Sequence, residues 1–317
     1  MLRSILIFGT DEFDDIPADI IHNNDDDWGN KIYFPTSAEE MIEASELWYD
    51  SMLACHGETR IASRLMVPRG ELNVETLLNP YASPYQTALA AEAEDEGRLL
   101  DELPLPTESW LYRLDIDRDA EVGTHPDHLA SVPVYAHVQE HGSEVAITYV
   151  TMYPFNGSYA ICCGACSAGE HQADVEHMSV YVDRESGEVT RAYFAAHRMR
   201  DGEYVDAADL QFASPNSRRL VAYVAKAGHG LYPRAGRIWR LFGFANDLTG
   251  NGHVWDPETA VVISEGSPRW MLYRGRWGSA HDLAAGFTSG PSFQGWWLAE
   301  HPHSRGCLKR AFCQCLE

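Results

Sequence analysis

Basic residues are scarce in this chain of 317 residues, with 24 Lys+Arg against 47 Asp+Glu and a formal net charge of −23. Phosphate-rich surfaces repel such a chain, which argues against nucleic acid and against non-specific adhesion to anionic lipid. Long apolar runs are missing too. None approaches the roughly 18 residues that cross a bilayer, so no transmembrane segment is expected. The first residues, Met1 to Phe8, hold only four consecutive apolar positions before Asp11 and Glu12. That is too short for the core of a secretory signal, so the reading is a soluble, cytoplasmic protein. Also absent are the Gly-x-Ser-x-Gly elbow, the phosphate-cradling Gly-x4-Gly-Lys-Ser/Thr loop, His-Glu-x-x-His and a dinucleotide fingerprint. The commonest hydrolases, nucleotide enzymes and metalloproteases lose their sequence warrant with them, and whether any reaction is catalysed stays open.

What is present can build a core. The chain is 45% hydrophobic and 11% aromatic, which excludes wholesale disorder. The charge is localised: residues 1–130 carry 28 acidic and 8 basic residues, and residues 131–317 carry 19 and 16. Two regions follow. Residues 1–130 read as an acidic N-terminal region with short helices packed on a β unit. Residues 131–317 read as a β-sandwich region with a Cys-rich C-terminal tail.

Ser37 followed by Glu40 forms a capping box, and Met41, Ser45 and Trp48 then share a face, which predicts a helix over about Ala38–Ser51. Residues 87–103, rich in Ala, Glu and Leu, also read helical until Pro104. After residue 130 the texture changes. Val132–Val138, Val145–Tyr153, His177–Asp183, Thr190–His197 and Leu220–Ala225 are short runs rich in Val, Tyr and Ala, bounded by Gly, Pro, Asn and Asp. Met178, Val180 and Val182 alternate with Ser179, Tyr181 and Asp183, the pattern of a half-buried strand. Arg184 to Glu188 read as a hairpin loop. The fold class is therefore mainly β, a jelly-roll-like β-sandwich with a few N-terminal helices.

The cysteines are Cys55, Cys162, Cys163, Cys166, Cys307, Cys313 and Cys315. Reduced thiols, a disulfide joining the tail to the first knot, and zinc all stay open; Cys163 and Cys166 supply one Cys-x2-Cys half-motif, and a zinc site would want a second. Asp115, Asp117, Asp119 and Glu121 alternate as calcium ligands do, but Ala120 and Pro126 stand where that loop needs Gly and Glu. An acidic loop without metal is the better reading. The densest polar cluster is Glu170 to His177. If a strand already begins near Asp174, then Asp174 and Glu176 point to one face and can hold a divalent cation, calcium or magnesium. His171, His197 and His229 complete this candidate metal set; the competing reading is a group of hydrogen-bonded side chains at a sheet end.

Several motifs occur in the order of a known family. They are Trp110-Leu111, Val134-Tyr135-Ala136-His137-Val138, Tyr153-Pro-Phe-Asn-Gly157, His171-x-x-Asp174-x-Glu176-His177, Tyr193-Phe194-x-x-His197 and Gly228-His229-x-x-Tyr232-Pro233. Trp270-x-x-Tyr273-x-Gly275-x-Trp277-Gly278 and Gly290-Pro291-x-x-Gln294-x-Trp296-Trp297 continue the series. Over roughly residues 31–300 the chain resembles the family of vacuolar protein sorting-associated protein 62. It departs where that family has Gly-Asp-Trp-Glu, with Ala173 and Val175 replacing the glycine and the tryptophan. The same cluster is similar to the heptad of necrosis-inducing toxin-like proteins, which bind a divalent cation in a β-sandwich.

The resemblance implies a mainly β fold and a link to vacuolar protein transport, and attaches no catalytic reaction. A non-enzymatic trafficking or scaffolding role through a binding face follows, with a protein partner or a membrane-associated assembly at the periphery of endomembranes. Two alternatives stand beside it. One is a metal-dependent binding or hydrolytic protein using His171, Asp174 and Glu176. The other is a structural component of a larger assembly, with Trp296 and Trp297 among its aromatic anchors.

Overall fold

The computed structural model of the chain describes residues 5–8, 32–53, 60–92, 103–161, 166–196, 202–215, 217–239, 247–279, 288 and 290–291. In chain order its strands are β1 (Ile5–Phe8), β2 (Ser45–Leu53), β3 (Arg60–Val67), β4 (Tyr112–Ile116), β5 (Val134–His141), β6 (Glu144–Asn156), β7 (Tyr159–Ile161), β8 (Cys166–Ala168) and β9 (His171–Asp183). There follow β10 (Val189–Phe194), β11 (Glu203–Asp206), β12 (Leu220–Val224), β13 (Leu231–Tyr232), β14 (Gly236–Ile238), β15 (Asp247–Thr249), β16 (Val254–Trp255) and β17 (Ala260–Val262). The protein is mainly β, as expected, with few helices. No helix among the described residues is long and apolar enough to cross a membrane.

The chain divides into two compact units. One comprises Met1–Thr36, Val122–Ile263 and His281–Ala285, and the other Ser37–Glu121, Ser264–Ala280 and Gly286–Glu317. The first unit contains a six-stranded sheet in the order β11-β10-β9-β6-β5-β17 and a four-stranded sheet in the order β13-β12-β1-β16. β6 and β9 lie at the centre of the larger sheet and pair antiparallel from Glu144↔Asp183 to Asn156↔His171. Met178, Val180 and Val182 join Ile147, Tyr149, Ala222, Val224 and Trp255 in one hydrophobic cluster. Strands of both sheets thus contribute to one shared core. Period-2 alternation at Met178, Val180 and Val182 is thus realised, and the hairpin after Asp183 links β9 to β10. β9 starts at His171, so the polar cluster lies inside the strand.

The second unit holds the three-stranded sheet β3-β2-β4. The capping box forms as expected: Glu40 N–H donates to Ser37 Oγ at 3.1 Å, and Ser37 N–H donates to a Glu40 carboxylate oxygen at 3.2 Å. The helix it starts is shorter than expected, ending at Glu43. The chain continues as β2 because Ser45, Leu47 and Tyr49 are buried in alternation and β2 is the middle strand, paired on both sides. Two hydrogen-bonded ladders and a buried face outweigh the weak helical preference of Trp48 and Tyr49. Pro84–Glu92 are helical, and residues 93–102 of the second expected helix lie outside the described residues.

Trp270, Tyr273 and Trp277 are core residues of this unit, with the two indoles edge to face at 5.6 Å. Its polar centre is Asp50. The carboxylate accepts from Arg113 Nε at 3.2 Å, from Ser63 Oγ at 2.7 Å and from Arg276. Asp115 and Asp117, from the alternating acidic run, accept from Arg113 and Arg69. Cys55, Cys162, Cys163, Cys307, Cys313, Cys315, Trp296 and Trp297 lie outside the described residues, and for Cys166 only the backbone is described.

Candidate functional site at the end of the central strand pair

At the end of the β6/β9 ladder, Tyr153 stands opposite Asp174 and Phe155 opposite Gln172. Asp174 and Glu176 are two apart on β9 and so share a face, and both are buried. The register is unbroken, yet Ala173 between Gln172 and Asp174 has φ 55°. This is left-handed backbone that glycine adopts freely and alanine only at a cost.

The loop after β12 approaches from the second sheet. It folds tightly: His229 N–H donates to Ala225 C=O at 3.0 Å and Gly228 N–H to Lys226 C=O at 2.9 Å. Ala227 and His229 are left-handed, with φ 68° and 51°. The loop is tied to β6 by Gly157 N–H, which donates to Ala227 C=O at 2.9 Å. A Cβ on Gly157 would come within 2.9 Å of the Tyr33 ring and 3.1 Å of Ala227 Cβ, so this close approach requires glycine. Ala173, Ala227 and His229 are the non-glycine residues with positive φ among the described residues, and all three belong to this one place. Such strain persists where surrounding structure over-determines it.

His229 is 2% exposed, and its Nδ1 lies 2.9 Å from Asp174 Oδ2. Its ring stacks on Tyr153 with centroids 3.8 Å apart, while Tyr33 meets it edge-on at 6.4 Å. Tyr33 also packs against Phe155 at 5.0 Å. Burial, and after it the carboxylate charges of Asp174 and Glu176, hold the Tyr153 phenol protonated far above its ordinary range. The motif Tyr153-Pro-Phe-Asn-Gly157 is thereby explained: one ring for His229, one for Tyr33, and a glycine for the loop.

The structure thus brings Asp174 and His229 together and places Glu176 on the same strand face. His171 opens β9, and its Nδ1 lies 2.8 Å from the Ala173 carbonyl. His197 lies outside the described residues. No group of three or more His, Cys, Asp or Glu among the described residues is gathered closely enough to hold a metal ion. Of the residues read as a donor set, Asp174 meets His229, and His171 Nδ1 meets the backbone of its own strand. His177, the neighbouring histidine of the motif, is on the opposite face of β9 with its ring 6.3 Å from Tyr193. Burial depresses its pKa to about 3, so it stays neutral.

Tyr153, Tyr33 and Lys226 are partners that the sequence did not single out as site residues. The motif Tyr-Pro-Phe-Asn-Gly was visible, but nothing in its spacing says that its first ring meets a histidine 76 positions on.

A family profile described as vacuolar protein sorting-associated protein 62 matches residues 104–283. No curated protein matches the chain by sequence. Among solved structures, Necrosis and Ethylene inducing Protein 2 from the causal agent of cocoa's Witches Broom disease is similar at 13% identity and a TM-score of 0.34. The match covers 54% of this chain and 68% of that one. The non-toxic HaNLP3 protein is similar at 14% identity and a TM-score of 0.28, over 44% of this chain and 55% of that one. NLPPya in complex with glucosamine is similar at 12% identity and a TM-score of 0.26, over 41% and 50%. Likenesses this loose assign neither fold nor function.

Proposed function

The chain belongs to the family of vacuolar protein sorting-associated protein 62, and on that footing we propose that it is a non-enzymatic β-sandwich protein with a trafficking or scaffolding role. It acts in the cytoplasm, at the periphery of endomembranes, through a binding face at the sheet end formed by Asp174, Glu176 and the loop 226–230. The observation that supports this reading best is the closure of the Asp174–His229 pair. The two groups are buried, 2.9 Å apart, and turned toward each other. A buried pair joined through His229 Nδ1 fixes the orientation of the loop that carries the histidine. Three left-handed residues around it add rigidity at a backbone cost, which suits a surface that presents one shape to a partner.

The test is a pull-down from native lysate with the full chain, beside a variant carrying His229→Ala. Recovery of a stable protein partner or membrane fraction by the native chain, lost with the variant, is the expected result. Failure of both chains to recover either would overturn the reading.

A second reading, a divalent cation on Asp174 and Glu176 with His171, His197 and His229 as further donors, is supported by the shared face of the two buried carboxylates. Its test is metal analysis of purified protein. A functional site should be substantially filled, so less than about 0.1 equivalent of any divalent ion removes this reading.

A further inference from the structure

The sequence contains two Asn-Gly dipeptides, Asn156-Gly157 and Asn251-Gly252. Such a pair is chemically reactive, because glycine has no Cβ to shield its nitrogen from the carboxamide before it. The fold places the two in opposite settings. Asn156 ends β6, is 3% exposed and stands opposite His171 in the ladder. Its Nδ2 donates to Gly157 C=O at 3.0 Å and to Gly169 C=O, and Gly157 N–H donates to Ala227 C=O at 2.9 Å. Both the carboxamide and the nitrogen that could attack it are therefore engaged. Asn251 is exposed. It lies in the connection Gly250-Asn251-Gly252-His253, after the last pair of β15, Thr249↔Gly236, and before the first pair of β16, Val254↔Phe8. Backbone rotation there breaks no strand pairing.

We propose that Asn251 is a site of spontaneous deamidation in the folded protein, while Asn156 is spared. The Gly252 nitrogen gives up its proton to hydroxide and attacks Asn251 Cγ. The Cγ–Nδ2 bond breaks, and the nitrogen takes a proton from water and leaves as ammonia, which restores the hydroxide. One water then opens the cyclic imide. Opening at Cγ gives an aspartyl residue; opening at the main-chain carbonyl gives an isoaspartyl residue, with the chain running through Cβ and Cγ. The sum is carboxamide plus water to carboxylate plus ammonium, with no oxidant or reductant involved.

Either product adds a negative charge, and the isoaspartyl product also lengthens the main chain by one methylene. The change falls two positions before His253, which packs edge-on against Phe34 at 5.5 Å. It also falls on the approach to Trp255, which is buried and donates through Nε1 to Val132 C=O at 3.2 Å. Sparing Asn156 preserves the Gly157–Ala227 bond that ties the His229 loop to β6. The inference does not rest on the partner-binding reading, because it concerns the covalent chemistry of one peptide linkage.

The full chain is aged at mildly alkaline pH, in buffer and in urea, and followed by peptide mapping with mass spectrometry. Electron-transfer dissociation separates isoaspartyl from aspartyl products. In buffer, Asn251 should deamidate at least about tenfold faster than Asn156, which reacts only through local opening. In urea the two should agree within about threefold, since each precedes a glycine. Gly252→Ala should slow Asn251 by about tenfold or more and leave Asn156 unchanged. Protein isoaspartyl methyltransferase with labelled S-adenosylmethionine should label the aged native chain and not this variant. Circular dichroism reports whether the variant folds; if it does not, the comparison of buffer with urea on the native chain carries the test.

Equal rates at Asn156 and Asn251 in buffer overturn the proposal. So does an Asn251 rate in buffer more than about tenfold below its rate in urea, which would show that the fold protects this linkage too.

Discussion

The imidazole of His229 lies flat on the phenol of Tyr153, with ring centroids 3.8 Å apart and planes 4° from parallel. Tyr153 is also the residue paired across the strands with Asp174, the carboxylate that meets His229 Nδ1. One tyrosine therefore orients both members of the pair, and the loop 226–230 is held to the sheet through it.

Truncating either member of that pair leaves the other buried. His229→Ala and Asp174→Ala are each expected to cost about 3 kcal/mol of unfolding free energy. The double variant should lose less than the sum by about 1–3 kcal/mol, because the two groups are in contact. A denaturant double-mutant cycle measures this. Strict additivity would show that the pair contributes nothing as a pair.

Ala173 holds a left-handed backbone at φ 55° in the middle of a strand pair. Ala173→Gly relieves that cost and is expected to stabilise the protein by about 1 kcal/mol, read as a higher urea midpoint at unchanged slope. Ala173→Val should destabilise it, since a β-branched side chain tolerates this region least.

His177 is buried and neutral, with its pKa depressed to about 3. In the unfolded chain the imidazole titrates near 6.5, so the unfolded state takes up the proton first as pH falls. Stability from this group is complete above about pH 6.5 and declines between there and pH 3, by about 1.4 kcal/mol per pH unit at most. Urea titrations at pH 7 and pH 5 should show the fall, and His177→Gln should flatten it. An equal slope in the variant would assign the acid sensitivity elsewhere.

Asp50 anchors the second unit. Burial raises its pKa, but the Ser63 hydrogen bond and the Arg276 and Arg113 guanidinium groups outweigh it, and the net displacement is downward. Its contribution is present above the ordinary carboxylate pKa of about 3.9 and is lost as pH falls through the lower value it has in the fold. Asp50→Asn keeps the shape and removes the charge that the largely buried Arg113 and Arg276 share, leaving Arg113 with the half-exposed Asp115. A loss of about 3 kcal/mol in urea unfolding is expected; a change below about 1 kcal/mol would put this cluster with ordinary surface pairs.

Much of the β architecture was legible because alternation is a local property. Met178, Val180 and Val182 announce a face whatever lies opposite. The capping box at Ser37 and Glu40 was legible for the same reason, since both its bonds close within three residues. The end of that helix was not. Ser45, Leu47 and Tyr49 form a strand because β3 and β4 pair on either side of them, and those partners come from residues 60–67 and 112–116. Of the five residues read as one polar site, Asp174 and Glu176 needed only strand periodicity. His229 needed the loop, the left-handed turn and Tyr153.

By itself, the sequence determined the mainly β class, the family and the common face of Asp174 and Glu176, because composition, motif order and period 2 are carried by neighbouring residues. Only the tertiary structure decided that Asp174 meets His229 and that His177 faces away from both. Those facts depend on which side chains are brought together from distant strands and loops, and net charge or spacing contains no information about that.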